Sequence, residues 1–129
     1  MAELGSEALI DDAAARVVQE LDAPVALVDA ASLTILLENA RFFQAFASTG
    51  DEPETLTQRL PFLEPESYRE RLAKGRTVTV EKEVQLGARN RAFAIDLRQI
   101  EFGARSAWMV QARDLTKQKE AEYMLDSYS

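Results

Sequence analysis

Asp114-Leu115-Thr116-Lys117-Gln118-Lys119-Glu120-Ala121-Glu122 takes the chain out of its last strand and into a charged helix. Before it, Arg105–Arg113 alternates, with Trp108, Val110 and Ala112 on one side and Met109 and Gln111 on the other. That is the period of a half-buried strand. After it, Lys117 to Tyr128 reads as a helix, with Gln118, Ala121, Leu125 and Tyr128 at spacings of 3, 4 and 3. Between the two, Asp114 and Thr116 carry side-chain oxygens that accept from the exposed N–H groups of a helix start, or bond to the sheet instead. A group so placed can couple the direction of the helix to the state of the strand.

Upstream, Arg91–Phe102 sets Phe93, Ile95 and Leu97 against Ala94, Asp96 and Arg98. Ile100 and Phe102 then fall on the other phase, which predicts a bulge near Gln99. Thr77–Leu86 gathers Val78, Val80, Val84 and Leu86 on one face. Lys82 interrupts that face, and we expect its stem to pack and its amine to reach water. The middle of the chain is helical. Pro65–Lys74 pairs Tyr68 with Leu72 and ends at Gly75 as its C′ residue. Another short helix starts at Pro53 and runs to about Arg59. Asn39 caps a third, Ala40–Ala47, whose Phe42, Phe43 and Phe46 make an aromatic face.

Val25–Asp29 and Leu33–Glu38 read as a hairpin joined through Ala30-Ala31-Ser32. Ahead of them, Leu9, Ile10, Ala13, Ala14, Val17, Val18 and Leu21 form one stripe of an amphipathic helix that Ala23-Pro24 ends. The stripe suits packing on the chain's own core or against a second copy. For the latter, the interface candidates are Leu9, Ala13, Val17 and Leu21. The expected architecture is α+β, a five-stranded antiparallel sheet covered by short helices. We divide the chain into a flanking helix over 1–22, a core over 23–116 and the start of a C-terminal helix over 117–129.

This order resembles the PAS sensory domain family, and three stretches carry the likeness. Val28-Asp29 to Glu38-Asn39 with Ala40-Arg41-Phe42-Phe43 resembles the second PAS strand running into an Asn-capped helix. Leu63-Glu64-Pro65-Glu66-Ser67-Tyr68 resembles the start of the helix before the long strands. Asp114 to Glu122 is similar to the Asp-Ile-Thr signature and the charged helix after it. The first hairpin lacks the usual Gly, and no Gly-Tyr pair follows the helix after Asn39. The resemblance implies a signalling relay role for Asp114 and Thr116. It also implies a ligand cavity between helices and sheet, with Phe42, Phe46, Phe93, Ile95, Trp108 and Val110 as lining candidates, although such residues equally make a plain core.

Composition narrows the chemistry. The 129 residues fit one domain, and 47% hydrophobic content supplies a core. The chain has no Cys and no His. Disulfides, Cys/His zinc sites, Cys–His and Ser–His–Asp catalysis, and haem held by His or Cys are therefore excluded. Asn39-Ala40-Arg41-Phe42-Phe43-Gln44 is similar to the flavin photoreceptor run Asn-Cys-Arg-Phe-Leu-Gln. It has Ala40 where the cysteine would stand and lies at the wrong place, so no cysteinyl-flavin forms. Noncovalent flavin or a small apolar ligand stays compatible. The net charge of −7 disfavours nucleic acid and anionic lipid. No stretch matches a membrane span or a signal peptide, which leads us to expect a cytoplasmic location.

The function expected from the resemblance is a regulatory module, not an enzyme. It would form a homodimer through its first helix and signal through its last to an output domain of histidine kinase or nucleotide cyclase type beyond Ser129. A pure protein-binding scaffold grades into this reading. The rival is a small enzyme using a carboxylate or phenol in an apolar cavity, with Asp96, Glu101, Tyr68 and Asp29 as candidates.

Overall fold

The computed structural model describes residues 16–46, 48, 50, 54–86 and 88–128. Strand β5, Arg105–Asp114, is the centre of a five-stranded sheet. It pairs with β1 (Val25–Asp29) on one side and β4 (Arg89–Phe102) on the other. β2 (Ile35–Glu38) lies beyond β1, and β3 (Val78–Leu86) lies beyond β4, with all pairs antiparallel. Helices α2 (Ala40–Ala45), α3 (Leu56–Arg59) and α4 (Pro65–Ala73) follow β2 and pack over one face. The helix over residues 16–20, α1, and α5 (Thr116–Tyr128) flank the sheet. The expected α+β architecture is thus the one observed.

The two-residue period decides the inner core. Phe93, Ile95 and Leu97 of β4 and Trp108, Val110 and Ala112 of β5 share one face with Ala26, Val28 and Val78. Phe42, Phe46, Leu56, Leu60, Tyr68 and Leu72 come down on it from the helices. The expected aromatic face of α2 is corrected in one respect. Phe42 and Phe46 are buried, but Phe43 is 54% exposed, because neighbours on a helix point about 100° apart and so do not share a face.

The bulge expected near Gln99 is absent. β4 and β5 pair without interruption from Phe93↔Asp114 to Phe102↔Arg105. Ile100 keeps phase and packs on the outer face with Val18, Val25, Leu27, Leu37 and Met109. The expectation assumed one buried face, whereas α1 covers an apolar patch on the other. The register shift lies instead between Leu27 and Val28, against β2.

Two turns replace what sequence left open. Leu33, read as the start of a strand, has φ 65° and so takes the left-handed conformation that the missing glycine would have eased. Its N–H donates to the Asp29 carbonyl at 2.8 Å and its carbonyl accepts from Leu56 N at 2.8 Å. β2 accordingly begins at Ile35, and Thr34 bridges Thr55. Gly75, with φ 81°, is the expected C′ residue of α4. Gly75 N donates to Leu72 O and Arg76 N to Arg71 O, both at 3.0 Å, the paired bonds of a Schellman end. Pro53, expected to open α3, lies outside the described residues. Among the described residues, no helix is long and apolar enough to cross a membrane.

Candidate functional site

The strand-to-helix exit is held from both sides. Leu115 is buried on Ala92 and Ala94 of β4, and its N–H donates to the Ala92 carbonyl at 2.7 Å. The Thr116 hydroxyl accepts from Ala92 N at 3.1 Å. The Asp114 carboxylate accepts from Thr116 N at 2.9 Å. Sequence left both side chains two choices, and the structure divides the work. Asp114 caps the helix, and Thr116 bonds the helix start back to the sheet.

Arg91 of β4 approaches the second Asp114 oxygen at 3.5 Å. Burial is the largest influence on the Asp114 carboxyl and pushes it up. The hydrogen bonds from Thr116 and the charges of Arg91 and Lys117 outweigh it and hold the group below the usual carboxylate range. Its stabilising contribution is therefore present above that range and is lost as pH falls through the lowered value. Beyond this first turn Lys119 Nζ lies 3.9 Å from Glu81 of β3, and Tyr123, Met124 and Leu125 are all more than half exposed.

The entrance of the chain is held by one side chain. Asn39 is 2% exposed. Its Oδ1 accepts from Phe42 N at 2.9 Å, which is the expected cap of α2, and from Val25 N at 3.1 Å. Its Nδ2 donates to the carbonyls of Val18 at 3.0 Å and Ala23 at 2.6 Å, with Leu21 O at 3.5 Å. The last carbonyls of a helix lack partners of their own, and Asn39 supplies them to α1. Val18 is buried on the outer face, while Val17 is 56% and Leu21 36% exposed. The predicted stripe thus divides between the chain's own sheet and solvent. Leu9 and Ala13 lie outside the described residues.

The cavity candidates Phe42, Phe46, Phe93, Ile95, Trp108 and Val110 are brought into one cluster. The rings of Phe42 and Phe46 are 5.1 Å apart and those of Phe46 and Phe93 5.4 Å, both tilted. Trp108 donates its indole N–H to Gln99 at 3.4 Å, beneath the Arg69 guanidinium 5.3 Å from the ring centroid.

No family model matches this sequence, and no curated protein matches it. Solved structures do. The PAS domain of Bordetella pertussis BvgS is 18% identical, with a TM-score of 0.60 over 91% of this chain and 95% of that one. The PAS domain of nitrogen regulation protein NR(II) from Vibrio parahaemolyticus is 14% identical, with a TM-score of 0.60 over 78% and 96%. A PAS domain from a two-component sensor histidine kinase is 14% identical, with a TM-score of 0.57 over 82% and 96%. The chain has the PAS fold.

Within this PAS fold the rival acid/base candidates, Asp96 and Glu101 on β4, Asp29 on β1 and Tyr68 on α4, are each held in local bonds. Asp96, on the outer face, accepts from Arg113 Nε and Thr79 Oγ1, both at 2.8 Å. Burial, the largest influence, raises its carboxyl, but these bonds and the Arg113 charge bring it below the usual range. Asp29 accepts from Ser32 N at 2.8 Å and Ser32 Oγ at 2.9 Å, and the Ser32 backbone bond is the main cause of its lowered value. Glu101 accepts from Ser106 Oγ at 3.2 Å. The Tyr68 hydroxyl accepts from Glu64 N at 3.1 Å.

Sequence reading missed a buried ion cluster on the helical side of this PAS fold. The Arg59 side chain is fully buried, donating Nε to Phe46 O at 2.8 Å and Nη1 to Glu38 Oε2 at 2.8 Å. Its Nη2 meets the other Glu38 oxygen, and Glu54 lies 3.7 Å from Nε. Glu38 is 21 positions away, so no local pattern announces the pair.

Proposed function

We propose that this chain is a sensory or regulatory PAS module that forms a homodimer and relays a change in its sheet through α5 to a kinase- or cyclase-type output domain. The observation that carries the reading is the shared hold on the first turn of α5. Thr116 ties that turn to β4, Asp114 caps it from β5, and further along the helix Tyr123, Met124 and Leu125 are exposed. A shift between β4 and β5 therefore reaches the helix through two short bonds. The sensor histidine kinase origin of a neighbour supports the kinase-type output.

The relay is tested by Thr116→Val, which removes the acceptor for Ala92 N but keeps the shape. Hydrogen exchange should show the amides of Ala92 and Lys119 losing about tenfold protection, a change on the order of 1.4 kcal/mol. Phe93 to Leu97 should hold theirs, and Thr116→Ser should restore the wild-type pattern. Unchanged protection at the start of α5 would remove the case for coupling.

The homodimer is tested where side chains are exposed. Val17→Glu with Leu21→Glu puts charge on the outward face of α1 and leaves Val18 in place. Light scattering at micromolar concentration should show a dimer for the wild type and a monomer for the double variant. A wild-type monomer, or a dimer in both, rules out this interface.

A further inference from the structure

The outer face of the sheet carries a line of alternating charge that ends on α5. In the pairing of β3, β4 and β5, Glu81 lies opposite Ala94, and Ala94 opposite Arg113. Ala94 is too small to separate the two longer side chains, and Leu115 is buried on it and on Ala92. Charges rim this apolar seat. Arg113 donates Nε to Asp96 at 2.8 Å, and Asp96 also accepts from Thr79 Oγ1 at 2.8 Å. Asp96 is the main cause that holds the Arg113 guanidinium above its ordinary range, and the charge of Glu81 adds to it. Glu81 in turn lies 3.9 Å from Lys119 Nζ, one turn into α5. Along Asp96, Arg113, Glu81 and Lys119 each neighbour has the opposite sign.

This hold differs in kind from the one on the first turn of α5. The Leu115 seat is apolar, and the bond from Ala92 N to the Thr116 hydroxyl joins uncharged groups. The line to Lys119 is made of charges that face water, with the Glu81 and Lys119 side chains 61% and 44% exposed. Salt screens such pairs, the Debye length falling from ~10 Å at 0.1 M to ~3 Å at 1 M. Glu83 lines the same groove as Lys119 from β3, so the strand presents two carboxylates to that amine. Glu120 lines it too, but from α5 itself, and ties nothing to the sheet. The helix is therefore fixed at its first turn by contacts that salt hardly weakens, and at its second by one that salt weakens directly.

We propose that ionic strength is an input to this module. At low salt the line ending in Glu81 and Lys119 docks the second turn of α5 on β3, and screening releases it while the first turn stays in place. That the release reaches an output domain rests on the relay reading; the release itself does not.

The chain has no Cys, so two introduced cysteines take spin labels at defined places. Leu125→Cys on α5 and Thr77→Cys ahead of β3 are both exposed and outside the line. Pulsed electron spin resonance on the whole chain then reads the distance between helix and sheet. At about 20 mM sodium chloride one distance should dominate, and at about 1 M a second, broader population should grow. The ratio of docked to released helix should fall about threefold or more. Glu81→Gln and Lys119→Gln should each give the released population already at low salt and lose the salt response. The two together should do no more than either alone, because they remove the same pair. An unchanged distance distribution between the two salt concentrations overturns the proposal, as does a wild-type salt response in both glutamine variants. An equal change with sucrose at matched osmolality overturns it too, since sucrose does not screen charge. The label distance reads docking, whereas the hydrogen exchange of Thr116→Val reads the relay, so either can fail without the other.

Discussion

Replacing Arg59 with alanine is expected to destabilise the fold by about 3–5 kcal/mol, the range for breaking a buried ion pair from one side. The guanidinium has no exposed surface, and Glu38 and Glu54 are 24% and 8% exposed in the paired side chains. Removing the cation leaves those carboxylates without it in a poorly solvated place. The same change opens a gap against Phe42 and Phe43, whose ring centroids lie 5.5 Å from the guanidinium carbon. Against a total stability of roughly 5–15 kcal/mol, such a loss brings unfolding close. Urea unfolding at neutral pH measures it. Arg59→Met combined with Glu38→Gln and Glu54→Gln should recover much of the loss, because the neutral set has no charge to desolvate. A loss below about 1 kcal/mol for the alanine variant would mean that the cluster behaves like a surface pair.

That cluster also marks the limit of sequence reading. The inner core was legible because Phe93, Ile95 and Leu97 and then Trp108, Val110 and Ala112 repeat every second residue, and burial follows the pleat. The exit was legible because capping acts over two or three positions, so Asp114 and Thr116 carry their chemistry in their spacing. Arg59 meets Glu38 only after the chain has folded α2 and α3 back on β2, and no short-range pattern encodes that return. Ile100 misled for a related reason. A period identifies which residues share a face, but does not say whether a flanking helix covers the second face. Leu33 shows the same gap in reverse, since the absent glycine was visible but the residue that would take the left-handed turn was not.

Asn39→Asp is expected to cost about 3 kcal/mol or more, and to act mainly on α1. The two side chains have the same shape, and the aspartate keeps the oxygen that accepts from Phe42 N and Val25 N. What changes is the other end. An NH₂ group that donates to the Val18 and Ala23 carbonyls becomes an oxygen facing them inside a site that is 2% exposed. Both carbonyls lose the amide donor, Val18 O keeping only Leu21 N, and a charge is placed among acceptors. Asn39→Ala loses both ends and serves as the comparison, because it adds no charge. Hydrogen exchange should show Leu21 and Asn39 backbone amides, bonded to Val18 O and Val25 O, losing protection in the aspartate variant before the β4–β5 pairing does. A uniform loss across the sheet would make Asn39 a general core residue and not a tether. The distinction matters for signalling. α1 packs on the outer face through Val18, and α5 starts from the same face through Leu115 on Ala92 and Ala94. If Asn39 fixes only the first of these, its loss should free the proposed dimer helix while the Thr116 bond to β4 stays closed, and the two ends of the relay become separable by one substitution each.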